Sequence, residues 1–178
     1  MAPVSACIRF EEKLKELTMM ILRCLCLVLT FICLPSVANT KEMPLEQQLA
    51  VKYIQAVTDH DYKALYAFYD RNSVFKDRTA SKTYTGRRHI ISFLRRAHQG
   101  VLEYGFNIEH MFNSGSLVVM IGSYHYRGPG DQFGKPGKII DLAIPGVTTV
   151  KLDMDNRRVE EHEDLMDYQT MADQLAVQ

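Results

Sequence analysis

The sequence predicts one α+β domain over residues 39–178, with helices first and a meander of strands after them. Two changes of period carry that reading. From Leu45 to Gln99 the apolar residues recur at helical spacing, and from Leu102 to Asp167 they recur at every second position. Short turn clusters, Asn113-Ser114-Gly115 and Asp153-Met154-Asp155-Asn156, separate the strand-like runs and suit antiparallel connections. The length matches a single hydrophobic core.

The first 38 residues read as a separate extension. Ile21 to Leu34 is an apolar run of about fourteen residues, short for a membrane span and typical of the central part of a signal peptide. Pro35-Ser36-Val37-Ala38 follows with the small residues that suit cleavage after Ala38. A translation start at Met19 or Met20 leaves Arg23 as the positive flank, whereas a start at Met1 places Glu11, Glu12 and Glu16 ahead of the run. Export to the periplasm or the medium is the expectation, and an uncleaved anchor is the alternative. All four cysteines, Cys7, Cys24, Cys26 and Cys33, precede the cleavage point, so the exported domain would hold no disulfide, thiol nucleophile or cysteine metal site.

Charge is balanced, with 21 basic and 21 acidic residues, so no basic excess recruits nucleic acid. Pro44 to His60 is the first expected helix, with Leu45, Leu49, Tyr53, Ala56 and Val57 on one face. Asp61 is placed to cap a second helix bearing Leu65, Phe68 and Tyr69. Ser73 to Arg78 is a short strand with Phe75 and Asp77 on one face, and Thr79 to Thr85 is a polar connection. Gly86 precedes a third helix, Arg87 to Gln99, whose stripe is Ile90, Ile91, Leu94 and Ala97.

In the first long strand Leu102, Tyr104, Phe106, Ile108, His110 and Phe112 share the expected buried face. Ser116 to Arg127 returns beside it, and Lys138 to Leu152 forms the third long strand after a loop rich in Gly and Pro. Pro145-Gly146 predicts a bulge or sharp bend there. The last strand, Arg157 to Tyr168, alternates so that Glu160, His162 and Asp164 share one face while Val159, Glu161, Glu163 and Leu165 share the other. A short helix, Gln169 to Ala176, closes the chain.

Three ionisable groups on one strand face give acid–base chemistry a place if that face looks into a cavity. Asp164 with His162 or His110 would make a carboxylate–imidazole couple able to move a proton beside a carbonyl. Tyr53, Tyr66 or Tyr84 would then donate to the developing oxyanion. Equally, buried Asp, His and Tyr hold sheets to helices by satisfying one another. His110, His125, His162 and Asp77 have metal-ligand chemistry without a tight spacing motif, so no metal and no cofactor is expected.

The ordered set Tyr53, Ala56 and Asp61, then Val74-Phe75-Lys76-Asp77, Gly86, and Val159, Glu161, His162, Asp164, Leu165 and Asp167 resembles the NTF2-like superfamily, and within it the SnoaL-like polyketide cyclase group. The resemblance implies a cone-shaped α+β barrel in which a curved antiparallel sheet wraps the N-terminal helices around an apolar pocket. It implies a homodimer and a mostly apolar pocket, and it matches Asp164 and Asp77 to aspartates of the family; with the residues read above, Tyr53, Tyr66, Phe75, Tyr84, Tyr104, Phe106 and His110 would wall a pocket for a small lipophilic molecule, and Asp164, His162 and Asp77 are the candidate catalytic residues. Asp164 stands where related epoxide hydrolases place an aspartate, but their Arg-x-Asp pair has no counterpart in Ser116 to Arg127. The superfamily also holds members without catalysis, so an enzyme of isomerase or cyclase type and a non-catalytic binding or interaction module both stay open.

Overall fold

The computed structural model describes residues 42–178, so the expected signal peptide and all four cysteines lie outside the described residues. Helix α1 spans Leu45–Thr58 and buries Ala50, Tyr53, Ile54, Ala56 and Val57, the face that helical spacing selects. Asp61 caps α2, Tyr62–Phe68, its Oδ1 accepting from the N–H groups of Lys63 and Ala64 at 3.1 and 2.9 Å. Strand β1, Val74–Asp77, leaves a turn in which the Ser73 hydroxyl donates to the Val159 carbonyl at 2.7 Å. Strand β2 covers Lys82–Thr85, where the sequence suggested only a connection. It pairs with β1 alone and is mostly exposed, so its residues carry no apolar alternation to reveal it.

Helix α3, Arg87–Ala97, begins at Gly86, whose φ of 84° disfavours any side chain and where a Cβ would fall 3.1 Å from the Arg71 carbonyl oxygen, tighter than ordinary contact. The meander follows as β3 Glu103–Ser114, β4 Leu117–Pro129, β5 Ile139–Asp153 and β6 Arg158–Met166, and α4 is Tyr168–Ala176. The six strands lie in the order β2-β1-β6-β5-β4-β3 as one curved sheet that does not close. The α+β class holds, but the sheet is mixed rather than purely antiparallel, because β6 returns beside β1 running the same way.

Two irregularities change which side chains face inward. The β3–β4 register shifts between Ile108 and His110, so Glu109 is an extra residue and the phase flips behind it. Tyr104, Phe106 and Ile108 pack inward as expected, whereas His110 and Phe112 are exposed and Met111 takes the inner place. A second shift, between Lys151 and Leu152 on β5, makes Glu160 the extra residue of β6. Val159, His162 and Asp164 therefore share the inner side, while Glu160 points outward and pairs with Lys151 at 2.7 Å. The expected grouping of Glu160 with His162 and Asp164 is corrected accordingly.

No bulge forms at Pro145-Gly146, where β4 and β5 stay in register. The Pro145 carbonyl accepts from Asp167 N–H at 2.8 Å, just beyond the end of β6, so the missing proline N–H falls where that ladder stops. One core joins α1, α2 and α3 to the sheet; a second, around Tyr126, Ile140, Leu142 and Ile144, lies under Met171 and Leu175 of α4. No helix among the described residues is long and apolar enough to cross a membrane.

Candidate active site

Between the two cores lies a cavity of about 190 Å³, lined from the β1 and β6 side by Phe75, Asp77, His162 and Asp164, and from β3 and β4 by Tyr104, Tyr124 and Tyr126. Phe93, Leu94 and His98 of α3 and its end, with Phe133, Tyr168 and Met171, complete the wall. A larger groove beside Arg71, Arg87, Arg88 and Arg158 is open and lies away from these carboxylates.

The parallel pairing of β1 with β6 sets Phe75 beside His162 and Asp77 beside Asp164. His162 is buried, its ring stacked on Phe75 with centroids 4.2 Å apart. Its Nε2 lies 2.8 Å from Asp164 Oδ2, with the ring N–H angled off the line to the oxygen; the contact is a close electrostatic one, not an aligned hydrogen bond. With the proton on Nε2, Nδ1 accepts the Tyr53 hydroxyl at 2.8 Å, and Tyr53 in turn accepts from Tyr69 at 2.6 Å. On the other side of the carboxylate, Thr148 donates to Asp164 Oδ1 at 2.5 Å, with the Tyr124 hydroxyl 3.4 Å away.

Burial pushes the Tyr124, Tyr104, Tyr53 and Tyr69 hydroxyls above the ordinary tyrosine range, and the Asp164 charge adds to each. They stay O–H donors at neutral pH. Tyr168 donates to Asp77 Oδ2, and burial followed by that bond raises its hydroxyl too. Asp77 Oδ1 accepts from the Ala80 N–H at 2.8 Å, tying the β1–β2 loop.

The structure thus brings Asp164, His162, Asp77, Phe75 and Tyr104 to one cavity, with Tyr53 directly behind His162. It does not bring the other expected wall residues there. Tyr66 is half exposed on α2 with the Arg87 guanidinium 4.2 Å over its ring, because α2 turns Leu65 inward, with Tyr69 buried just past its end. Tyr84 stacks on Phe93 at 4.1 Å from the edge strand, Phe106 stacks behind Tyr124 at 4.3 Å, and His110 is turned out by the Glu109 bulge. His125 lies on the outer face near Glu103 and Asp141, at 3.8 and 3.6 Å, so His110, His125, His162 and Asp77 do not converge on a metal.

Tyr124, Thr148 and Tyr168 were missed. Tyr124 falls in phase with Val118, Met120 and Tyr126 on β4, a signal the sequence held; Thr148 keeps phase with Ile144 across Pro145-Gly146, which disguised it. His98, which follows the Ile90, Ile91, Leu94 and Ala97 stripe at the end of α3, also lines the cavity and packs against His60 and Tyr104 at ring distances of 4.5 and 4.7 Å.

A helix-backed, open mixed sheet with an inward cavity defines an NTF2-like domain, and solved structures of the same fold include an LEH-like epoxide hydrolase of M. tuberculosis, 14% identical over 74% of this chain and 89% of that one, TM-score 0.61. The chain belongs to the SnoaL-like domain family, whose profile matches residues 50–162. It is similar to two crystal structures assigned to the SnoaL-like polyketide cyclases. One, from Shewanella putrefaciens CN-32, is 73% identical over 77% of this chain and all of that one; the other, from Shewanella denitrificans OS-217, is 65% identical over 76% and all of it, each with TM-score 0.76. No functionally curated protein matches.

Proposed function

We propose that this domain binds a small, largely apolar carbonyl compound in the cavity and moves a proton next to its carbonyl, with Asp164 as the base. The observation that carries this is the fixed position of the Asp164 carboxylate at the cavity wall, held between His162 on one oxygen and Thr148 on the other. A carboxylate has about four acceptor sites, so these two contacts leave room for a substrate C–H. As the proton passes to Asp164, the C–H electron pair becomes the enolate C=C bond and the carbonyl π pair moves onto oxygen, where a neutral tyrosine hydroxyl of the wall, Tyr104 or Tyr124, donates to it. Return of the proton at another carbon is an isomerisation; attack of the enolate on a second carbonyl is an aldol cyclisation. The likeness to two structures assigned by family to the SnoaL-like polyketide cyclases is consistent with the second outcome, while the small volume favours a compact substrate.

Proton NMR in D₂O tests the reading with a cyclic monoketone, whose α-carbon exchanges slowly unaided, as probe. Enzyme-dependent deuterium incorporation at the acidic carbon is expected, falling about 10²- to 10³-fold in Asp164→Asn. Incorporation that survives the substitution would remove Asp164 from the role.

A module working as a pair is the second reading, supported by the outer sheet face, where Phe112, Leu117, Ile121 and Leu165 are exposed. Ile121, Val147 and Leu165 lie in one row across β4, β5 and β6, an apolar strip suited to a second copy. We also infer export, from the apolar run and the small residues before Asn39. Native mass spectrometry of the protein from its own host reports pairing and processing together. A monomer retaining residues 1–38 would overturn both.

A further inference from the structure

We propose that the compound taken by this cavity is a cation, a small carbonyl compound carrying an alkylated ammonium group that seats beside Asp77; the inference rests on the cavity reading above. Asp77 and Asp164 are register partners on adjacent parallel strands, and both line the cavity. Like charges side by side on neighbouring strands repel, and more so where water is scarce.

Nothing in the wall balances them. Among the described residues neither Lys nor Arg lines the cavity. Lys76 and Arg78, which flank Asp77 in sequence, turn to the other face and pair there with Glu161 and Glu163. The tyrosine hydroxyls are donors without charge. Two imidazoles remain: His162, already against Asp164, and His98, which burial pushes down to about 4 and so keeps neutral. Even with His162 protonated, one negative charge is left over. It belongs to Asp77, whose contacts, the Tyr168 O–H and the Ala80 N–H, are both neutral.

The rest of the wall suits an organic cation better than a metal ion or a free ammonium ion. Tyr104, Tyr124, Tyr126 and Phe133 supply ring surfaces, which attract weakly hydrated alkylammonium groups, and Met171 adds a polarisable one. The charge also serves the chemistry. Proton removal by Asp164 transfers its negative charge to the substrate oxygen, and an ammonium group in the same molecule offsets that charge, where a neutral ketone would add a third acceptor to an acidic cavity.

The test compares two ketones of the same shape by calorimetry on the whole protein: acetonyltrimethylammonium and its carbon isostere 4,4-dimethylpentan-2-one. The cation is expected to bind at least ten-fold more tightly, and Asp77→Asn, with unchanged circular dichroism, is expected to bring the two within about three-fold. Equal or tighter binding of the neutral ketone by the unsubstituted protein would overturn the cation preference and leave the pocket standing. Retention of the preference in Asp77→Asn would overturn the assignment to Asp77. Binding of neither compound would overturn this inference together with the cavity reading beneath it. The comparison on the unsubstituted protein holds even if Asp77→Asn does not fold.

Discussion

Tyr53 shows how the site is built into the core. Its ring is fully buried against Phe68 and Tyr69, and its hydroxyl joins Tyr69 to His162. Sequence spacing placed Tyr53 on the buried face of α1 and suggested an oxyanion donor; instead its hydroxyl is spent on His162, and Tyr124 faces the cavity. Tyr53→Phe keeps the packing but leaves the Tyr69 hydroxyl and His162 Nδ1 short of a partner in the interior. A loss of about 1–3 kcal/mol is expected, read as a lower urea midpoint with unchanged slope. If the midpoint does not move, the chain from Tyr69 to His162 is not holding the imidazole. The pairing of His162 with Asp164 was readable from their spacing of two on one strand. The juxtaposition of Asp77 with Asp164 was not, because nothing local specifies that β1 and β6 lie side by side.

At the scale of elements, period-two reading located every long strand but failed beyond each bulge. His110 and Glu160 went to the wrong face for the same reason: one extra residue, Glu109 or Glu160, inverts the phase without any residue type to announce it. Glycines mark where the sheet crowds. Gly122 and Gly146 are register partners; a Cβ on Gly122 would fall 2.0 Å from the Asn107 carbonyl oxygen, and one on Gly146 would fall 2.9 Å from Met166 Sδ. Gly115, in the β3–β4 turn, has a φ of 56° but nothing within 4 Å of a Cβ. The two sites separate space from backbone conformation. Gly115→Ala is expected to cost about 1 kcal/mol through its positive φ, and Gly122→Ala about 3 kcal/mol or more because backbone, not a flexible side chain, must move. Thermal melts of the two variants check the order; a Gly122→Ala protein as stable as Gly115→Ala would mean that β3 and β4 part easily.

For the whole molecule, the His60–His98 contact ties stability to pH. The two rings meet where the end of α1 approaches the end of α3, and His60 Nε2 and His98 Nδ1 are buried without a partner among the described residues. Burial lowers both imidazoles, and the neighbouring His60 lowers His98 further, to about 4. In the unfolded chain each titrates near the ordinary histidine value of about 6.5. Between those values the unfolded state binds more protons than the folded one, so stability rises with pH: it is complete above about pH 6.5 and is lost as pH falls toward 4. From pH 7 to 5, His98 alone accounts for a loss of about 2 kcal/mol, and His60 acts in the same direction. Carboxylates held below their ordinary range, such as Glu163 beside Arg78 and Asp70 in its turn, lose their contributions only as pH falls through and below the ordinary carboxylate value of about 4, so they leave this window clear. Urea denaturation at half-unit steps should therefore show a steady fall between pH 6.5 and 4.5, and His98→Gln should flatten it even if its stability at pH 7 is lower. A slope unchanged in His98→Gln would mean that the imidazole finds a proton-accepting partner in the fold, and that the neutral, cavity-lining state of His98 does not describe the protein in solution.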